Sequence, residues 1–503
     1  MTSRQFAALL AVSLVFRAWL ASVFPITGDE AYFVGWARHP DWGYYDHPPM
    51  VGWWLAALLP VSAAELWLRL PAVLLPAVLA LAVRYALPRL YPAIEPQRTD
   101  WVAVLVLLAP VNVWNVFVTT DTPLVYFAVL SALAWLRAAQ ECPGDGMGWY
   151  LLSGLLLAGA VLSKYFAALL GAAYLADVLA RRSRRSFAGL VLAYACTVPA
   201  LGLMAWWNAA SCWPNLMFNF INRHGNAGWS ASSPLLYALM LAYMLVPASL
   251  WLAWRYRRAA GVDFAVPALA WLAWLPPALF GLLSLVKPVG LHWLLGFVPL
   301  TLLWLGLRLP PPVLARLGLF ATGFAALHIA LILVVSRVPL EAWQPTRLYD
   351  GIVLSFEHRQ LADHLPPPDA GPLLATDSYS TAATLAYNLR RPVVVIGEGG
   401  VHARQDDLVT DFRALDGRDM VILRKASPAE SEYRAYFAAV AATPIEIRGA
   451  TLWRVDARGF DYAAYRDQVL RRVRERYYAL PAWLPQRGCP LCDRYFPGEV
   501  CRR

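Results

Sequence analysis

The sequence predicts a mainly α-helical, polytopic membrane protein with about 11 transmembrane helices, joined to a small C-terminal α/β domain. Three observations carry that expectation. Of the 503 residues 59% are apolar and the mean hydropathy is +0.47, above the soluble range. Apolar windows long enough to cross a hydrocarbon core of about 30 Å recur through the first two thirds of the chain. The acidic residues are unevenly spread, only 12 of 33 lying before residue 340, so the last third has the polarity of a soluble domain. The expected division is a membrane domain over 1–339, with a first loop at 25–66, and an α/β domain over 340–503.

The apolar windows run at 5–24, 67–87, 101–118, 122–139, 149–163, 165–180, 187–207, 234–254, 264–283, 289–307 and 314–336. The first, following Arg4, has the look of a secretory signal. An acidic loop and further spans come straight after it, so an uncleaved first helix is expected. With the N-terminus inside, 14 basic residues fall in cytoplasmic segments, among them the RRSRR run at 181–185, against five on the opposite side before the tail. That is the positive-inside pattern, and it accounts for the net charge of +10 without nucleic acid as a partner. An odd number of spans then puts the tail outside the cytoplasm.

In the tail, residues 373–396 (LLATDSYSTAATLAYNLRRPVVVI) read as a strand, a helix begun near Asp377 or Ser378, and a β-branched strand. MVILR at 420–424 and TLWRV at 451–455 are further strands, PPPD at 366–369 is a loop, and 462–478 is a surface helix. CPLC at 489–492 and Cys501 supply three thiols, short of a zinc set and suited to a local disulfide in an oxidising compartment.

The chemistry centres on Gly28–Pro49, GDEAYFVGWARHPDWGYYDHPP. This short loop packs four carboxylates (Asp29, Glu30, Asp41, Asp46), two histidines and six aromatic rings beside a membrane. Ionisable groups at that depth are expensive, so function is the default reading. Asp29 could simply cap the helix that follows Gly28. Yet Asp41, Asp46 and Asp121, the last in a TTDTP turn, add carboxylates to the same face of the membrane. Such a set suits a general base for an acceptor hydroxyl or amine, or a divalent-metal site. Tyr45, Asp46 and His47 precede two prolines that hold an extended connector. On the same face stand Lys164 in an SKY turn, Asn208 in the WWN loop, Arg223 and His224 at that loop's end, and Lys287 and His292 in KPVGLHW. A lone lysine at a span end normally snorkels; several cations on one face suit a phosphate or pyrophosphate. No P-loop, dinucleotide fingerprint or nucleophile elbow occurs, so no organic cofactor is expected, and a divalent ion stays an alternative.

Taken in order, GDEAYF, GYYDHPPMV, TTDTPL, LSKY, the WWN loop ending in NRHG, and KPVGLHW resemble the landmarks of bacterial glycosyltransferases related to the protein O-mannosyltransferases and to the lipid A aminoarabinose transferase (ArnT-like). The resemblance covers the membrane region, and DSYSTAATLAYNLRRPVVV resembles the extracytoplasmic domain of many members. It implies a GT-C fold in a bacterial inner membrane. It also implies transfer, with inversion, of a sugar from a polyprenyl-phosphate donor to an extracytoplasmic glycan, glycolipid, lipopolysaccharide or protein. By the same resemblance Asp29 acts at the catalytic centre, with Glu30 at the motif's second position and Asp121 alongside. Tyr45, Asp46, His47, Lys164, Asn208, Arg223, His224, Lys287 and His292 then bind donor phosphate and substrate. The chain departs from the aminoarabinose transferases at His47-Pro48-Pro49, where they carry Lys-Pro-Pro, which shifts lipid-phosphate binding to His47, Lys164, Arg223 or Lys287. The rival reading is a transporter or flippase of an anionic lipid-linked solute, using the same charges as a pathway.

Overall fold

The computed structural model describes residues 1–140, 146–222, 228–256, 267–367, 371–398, 404–499 and 501. Helix α1 (Ser3–Val23) starts in a capping box between Thr2 and Gln5 and ends in extended backbone at Phe24. The first loop folds into two further helices, α2 (Gly28–Arg38) and α3 (Met50–Leu58). Five helices among the described residues are long and apolar enough to span a membrane: Ser3–Val23, Glu65–Leu90, Arg184–Ala210, Pro267–Ser284 and Pro311–Val335. Others coincide with predicted windows but are shorter, such as Gly146–Val161, Ala167–Arg181 and Val298–Arg308.

Two expected spans are broken, each for a local reason. The window 101–118 divides into Pro96–Leu107 and Pro110–Trp114, and residues 115–119 carry no regular secondary structure. Pro110 has no N–H to give and pushes Ala109 out of helical geometry, at φ −51° and ψ 135°. The carbonyls this break strands are taken up by Arg17 of α1, whose buried guanidinium donates to the oxygens of Asn112 and Asn115 as well as Val73 and Ala72. In a membrane such groups need internal partners. The window 234–254 becomes Ser232–Met244 and Ala248–Arg255, bent by 88° where Val246 takes φ +67° before Pro247.

The tail holds a mixed five-stranded sheet in the order β2-β1-β3-β5-β4. Strands β1 (Leu373–Thr376), β2 (Val394–Val395) and β3 (Met420–Arg424) run parallel, while β4 (Phe437–Ile447) and β5 (Ala450–Phe460) form an antiparallel hairpin against β3. Ser378 caps the helix Tyr379–Asn388 between β1 and β2, as predicted. Strand β4 was not foreseen, because FAAVAATPIEI is rich in alanine, a weak strand former. Its pairing is imposed by the turn at Arg448 and Gly449, both at positive φ (49° and 78°) as a tight hairpin requires. The 462–478 segment is helical with π-turns, but it is no surface helix: Tyr465, Val469, Leu470, Val473, Tyr477 and Tyr478 are buried in one core with β3 and β5. Disulfides join Cys212 to Cys489, 277 residues apart, and Cys492 to Cys501.

Candidate active site

Gly28 explains how the tail reaches the membrane region. A Cβ there would lie 1.8 Å from Ser380 Oγ, so only glycine lets the start of α2 meet the helix Tyr379–Asn388 at this distance. Tyr379 then packs against Tyr32 of α2, with ring centroids 4.8 Å apart and the planes tilted by 54°.

Beside this contact lies a polar cavity of about 240 Å³, lined by Asp29, Asp46, His47, Lys164 and His292 together with Asn219, Tyr32, Tyr165, Trp293 and Tyr379. Five of the predicted site residues, drawn from α2, the GYYDHPP connector, the SKY turn and KPVGLHW, thus converge in one space. Lys164, buried at the turn between two helices, donates from Nζ to both oxygens of Asp121 at 2.8 Å. Asp121 therefore fixes the ammonium at the cavity wall, a positioning role behind the lining itself. His47 Nε2 stands 3.9 Å from Asp46 Oδ2.

The remaining predictions resolve differently. Glu30 does not line the cavity. It is 1% exposed, its Oε2 accepts from the backbone N–H of Thr27 (3.1 Å), and its two oxygens take Arg69 Nε at 2.8 Å and Nη2 at 2.6 Å. Its Oε1 also accepts from Val118 N–H at 3.0 Å, while Arg69 donates onward to the carbonyls of Ala21, Phe24 and Pro25. This knot ties the end of α1 to α2 and to the irregular segment after the Pro110 break. Tyr45 points into the core of the tail, near Phe218 and Tyr478, and its N–H donates to Gln405 Oε1 at 2.8 Å; burial pushes its hydroxyl well above the ordinary tyrosine range. Asn208 closes the helix Arg184–Ala210, donating to Met204 O and accepting from Asn215 N–H. Lys287 is half-buried and outside the lining, and Arg223 and His224 lie outside the described residues.

A second, larger cleft of about 1100 Å³ opens on the other flank of Tyr32, lined by Arg38, His39, Glu65, Arg390, Arg391 and Asp406 among others.

The crystal structure of ArnT from Cupriavidus metallidurans in the apo state superposes with a TM-score of 0.63 at 16% identity, covering 89% of this chain and 97% of that one. Its complex with undecaprenyl phosphate gives 0.65 at 16% identity, over 90% and 98%. The fold is that of ArnT. The resemblance read from the motifs is borne out at the level of the fold. In sequence, residues 46–207 match the family model described as dolichyl-phosphate-mannose-protein mannosyltransferase. The lipid A galacturonosyltransferase RgtD of Rhizobium johnstonii is 29% identical over 185 residues, 36% of this chain, so the match spans about two fifths (38%) of that relative's length.

Within the ArnT-like frame, sequence reasoning overlooked Asn219 and Tyr379. Asn219 sits on a π-turn (Met217–Ile221) and donates to Asp46 O at 3.0 Å and Asn215 O at 2.9 Å. Asn215 in turn donates to the carbonyls of Tyr44 and Tyr45. Two asparagines four residues apart in an otherwise apolar PNLMFNF stretch are the signal that was there to be used.

Proposed function

We propose that this protein is an integral-membrane glycosyltransferase that moves a sugar from a polyprenyl-phosphate donor to an acceptor outside the cytoplasm. The carrying observation is the convergence of Asp29, Asp46, His47, Lys164 and His292 in one cavity of an ArnT-like fold. The undecaprenyl phosphate in the ArnT complex and the lipid A substrate in the RgtD name support the donor and acceptor classes. The eleven-span topology, the cytoplasmic N-terminus and the extracytoplasmic tail from residue 340 belong to the same proposal.

The donor already carries a good leaving group, so the protein has three tasks: to hold the acceptor in line, to take its proton, and to neutralise the departing lipid phosphate. Asp29 is the general base. Lys164, held by Asp121, meets the phosphate with His47 and His292. At about 240 Å³ the cavity is smaller than the roughly 300–1,000 Å³ of drug-sized sites, room for a sugar but not for a prenyl tail, which must lie along the lipid-facing helices. The larger cleft, with Arg38, Arg390 and Arg391, suits a phosphorylated glycolipid acceptor. Inverting transfer follows from one displacement at the anomeric carbon: the acceptor oxygen bonds as the phosphate leaves, and the acceptor proton goes to Asp29.

The test is mass spectrometry of lipid A and other envelope glycolipids from cells with and without the gene, paired with purified protein given undecaprenyl-phosphate sugars. The expected result is one glycolipid that loses a sugar-sized mass in the deletion, and consumption of one donor in vitro. No change in any glycolipid, glycan or protein glycoform would sink the proposal.

A further inference from the structure

Four cysteines the proposed reaction does not use, Cys212, Cys489, Cys492 and Cys501, come together at the junction of the membrane region and the tail. Each is at most 2% exposed, and their four Sγ atoms all lie within 4.8 Å of one another. The disulfide pairings require only that each sulfur meet one other. Nothing in two separate disulfides asks that all four converge. A tetrahedral zinc ion does: with Zn–S near 2.3 Å its four sulfurs stand roughly 3.8 Å apart.

The chain supplies these thiols in a ligand-like pattern. Cys489 and Cys492 form a Cys-x-x-Cys turn around Pro490, Cys501 follows nine residues later, and Cys212 comes from a distant segment. The backbone N–H of Cys489 donates to Asp493 Oδ2 at 2.9 Å, fixing the turn. Cys212 is locked against the same turn, its N–H donating to Gly488 O at 3.1 Å while Arg487 and Gly488 donate to Ala209 O. Cys212 and Trp213 both hold left-handed backbone, at φ 70° and 52°, a strained geometry that persists only where the surroundings over-determine it. Among the described residues this is the one group of three or more Cys, His, Asp or Glu side chains gathered closely enough to share an ion.

We infer that the reduced chain holds a structural zinc ion on Cys212, Cys489, Cys492 and Cys501, so that one knot has a four-thiolate metal state and a two-disulfide state. Passing from disulfides to metal takes two electrons per disulfide from a thiol or phosphine reductant and two protons, which come from the thiol itself or, with the phosphine, from water. A thiol reductant becomes a disulfide; a phosphine takes water's oxygen and becomes its oxide. The four thiols then release four protons as the zinc binds.

The test uses the full-length protein purified in detergent with a phosphine reductant, assayed for zinc by mass spectrometry and for cobalt after exchange by absorption. About one zinc per chain is expected, with the sulfur-to-cobalt charge-transfer bands of a tetrahedral thiolate site. Cys492→Ser should bind more than about tenfold more weakly, while Cys196→Ser should bind as wild type. Background zinc in the reduced wild type, or undiminished zinc in Cys492→Ser, overturns the inference. Where Cys492→Ser fails to fold, the wild-type cobalt spectrum decides: bands without thiolate character count against it. None of these readouts depends on the transferase assignment.

Discussion

Asp29 and Glu30 share a peptide bond yet belong to two different regions. Neighbouring positions on a helix point about 100° apart, so at the first turn of α2 one carboxylate faces the polar cavity and the other faces the junction of α1, Arg69 and Val118. The cavity contains space and mixed charge from four stretches of chain. The knot contains no space: every polar atom of Glu30 and Arg69 is engaged, and the pair is sealed from water. A carboxylate with room beside it can exchange a proton with a substrate. One clamped in a bidentate ion pair can only hold helices together. On the proposed function the same sequence motif serves chemistry at Asp29 and architecture at Glu30.

The sharpest way to break this comparison is Asp29→Asn, which should lower turnover by about 10²–10⁴ with an unchanged melting temperature. Equal activity in the variant would remove Asp29 from the reaction. Next in size is Glu30→Gln, expected to cost up to about 3–5 kcal/mol of stability by leaving buried Arg69 with only the more distant Glu65 carboxylate, at 3.6 Å, as counter-charge, and seen as a lower melting temperature and poor yield of folded protein. A well-folded but inactive Glu30→Gln protein would move Glu30 from the knot to the cavity. Asp121→Asn should cost about 1.5–3 kcal/mol and raise the donor KM more than it lowers kcat, because Lys164 loses its hold without losing its charge. The opposite split in steady-state kinetics would make Asp121 a catalytic group.

The smallest effect is linked to pH and asks whether the larger cleft is built like the cavity or the knot. Burial raises Asp406 to about 6, with Arg404 opposing and Asp407 adding to the shift. A carboxyl that binds its proton more tightly when folded favours the folded state at low pH. Its contribution is therefore complete below the ordinary value of 3.8, is lost as pH rises toward 6, and is absent above that. Asp406→Asn should raise the melting temperature at pH 7.5 and leave it unchanged at pH 4; no difference at either pH would place Asp406 in free contact with water.

Much of the site was legible because its signals are local. GDEAYF, LSKY and KPVGLHW each carry an ionisable residue beside the end of an apolar window, where such a residue is costly, and GYYDHPP carries two in the short loop between the first two windows. Asn219 and Tyr379 escaped because an amide in an apolar stretch and a tyrosine at a helix start have many ordinary explanations. The two halves of the 101–118 window were read as one, although Pro110 marked the break, since hydropathy averages over the proline.

Composition and periodicity alone decide that the chain is helical, membrane-bound and acidic at one loop, since these follow from the transfer of side chains out of water and need no neighbours. Which acid faces an opening, which lysine is held by Asp121, and that Cys212 meets a cysteine 277 residues away depend on contacts between remote segments. Such contacts leave no trace in a short window, because their energy arises only when the segments that share it have packed.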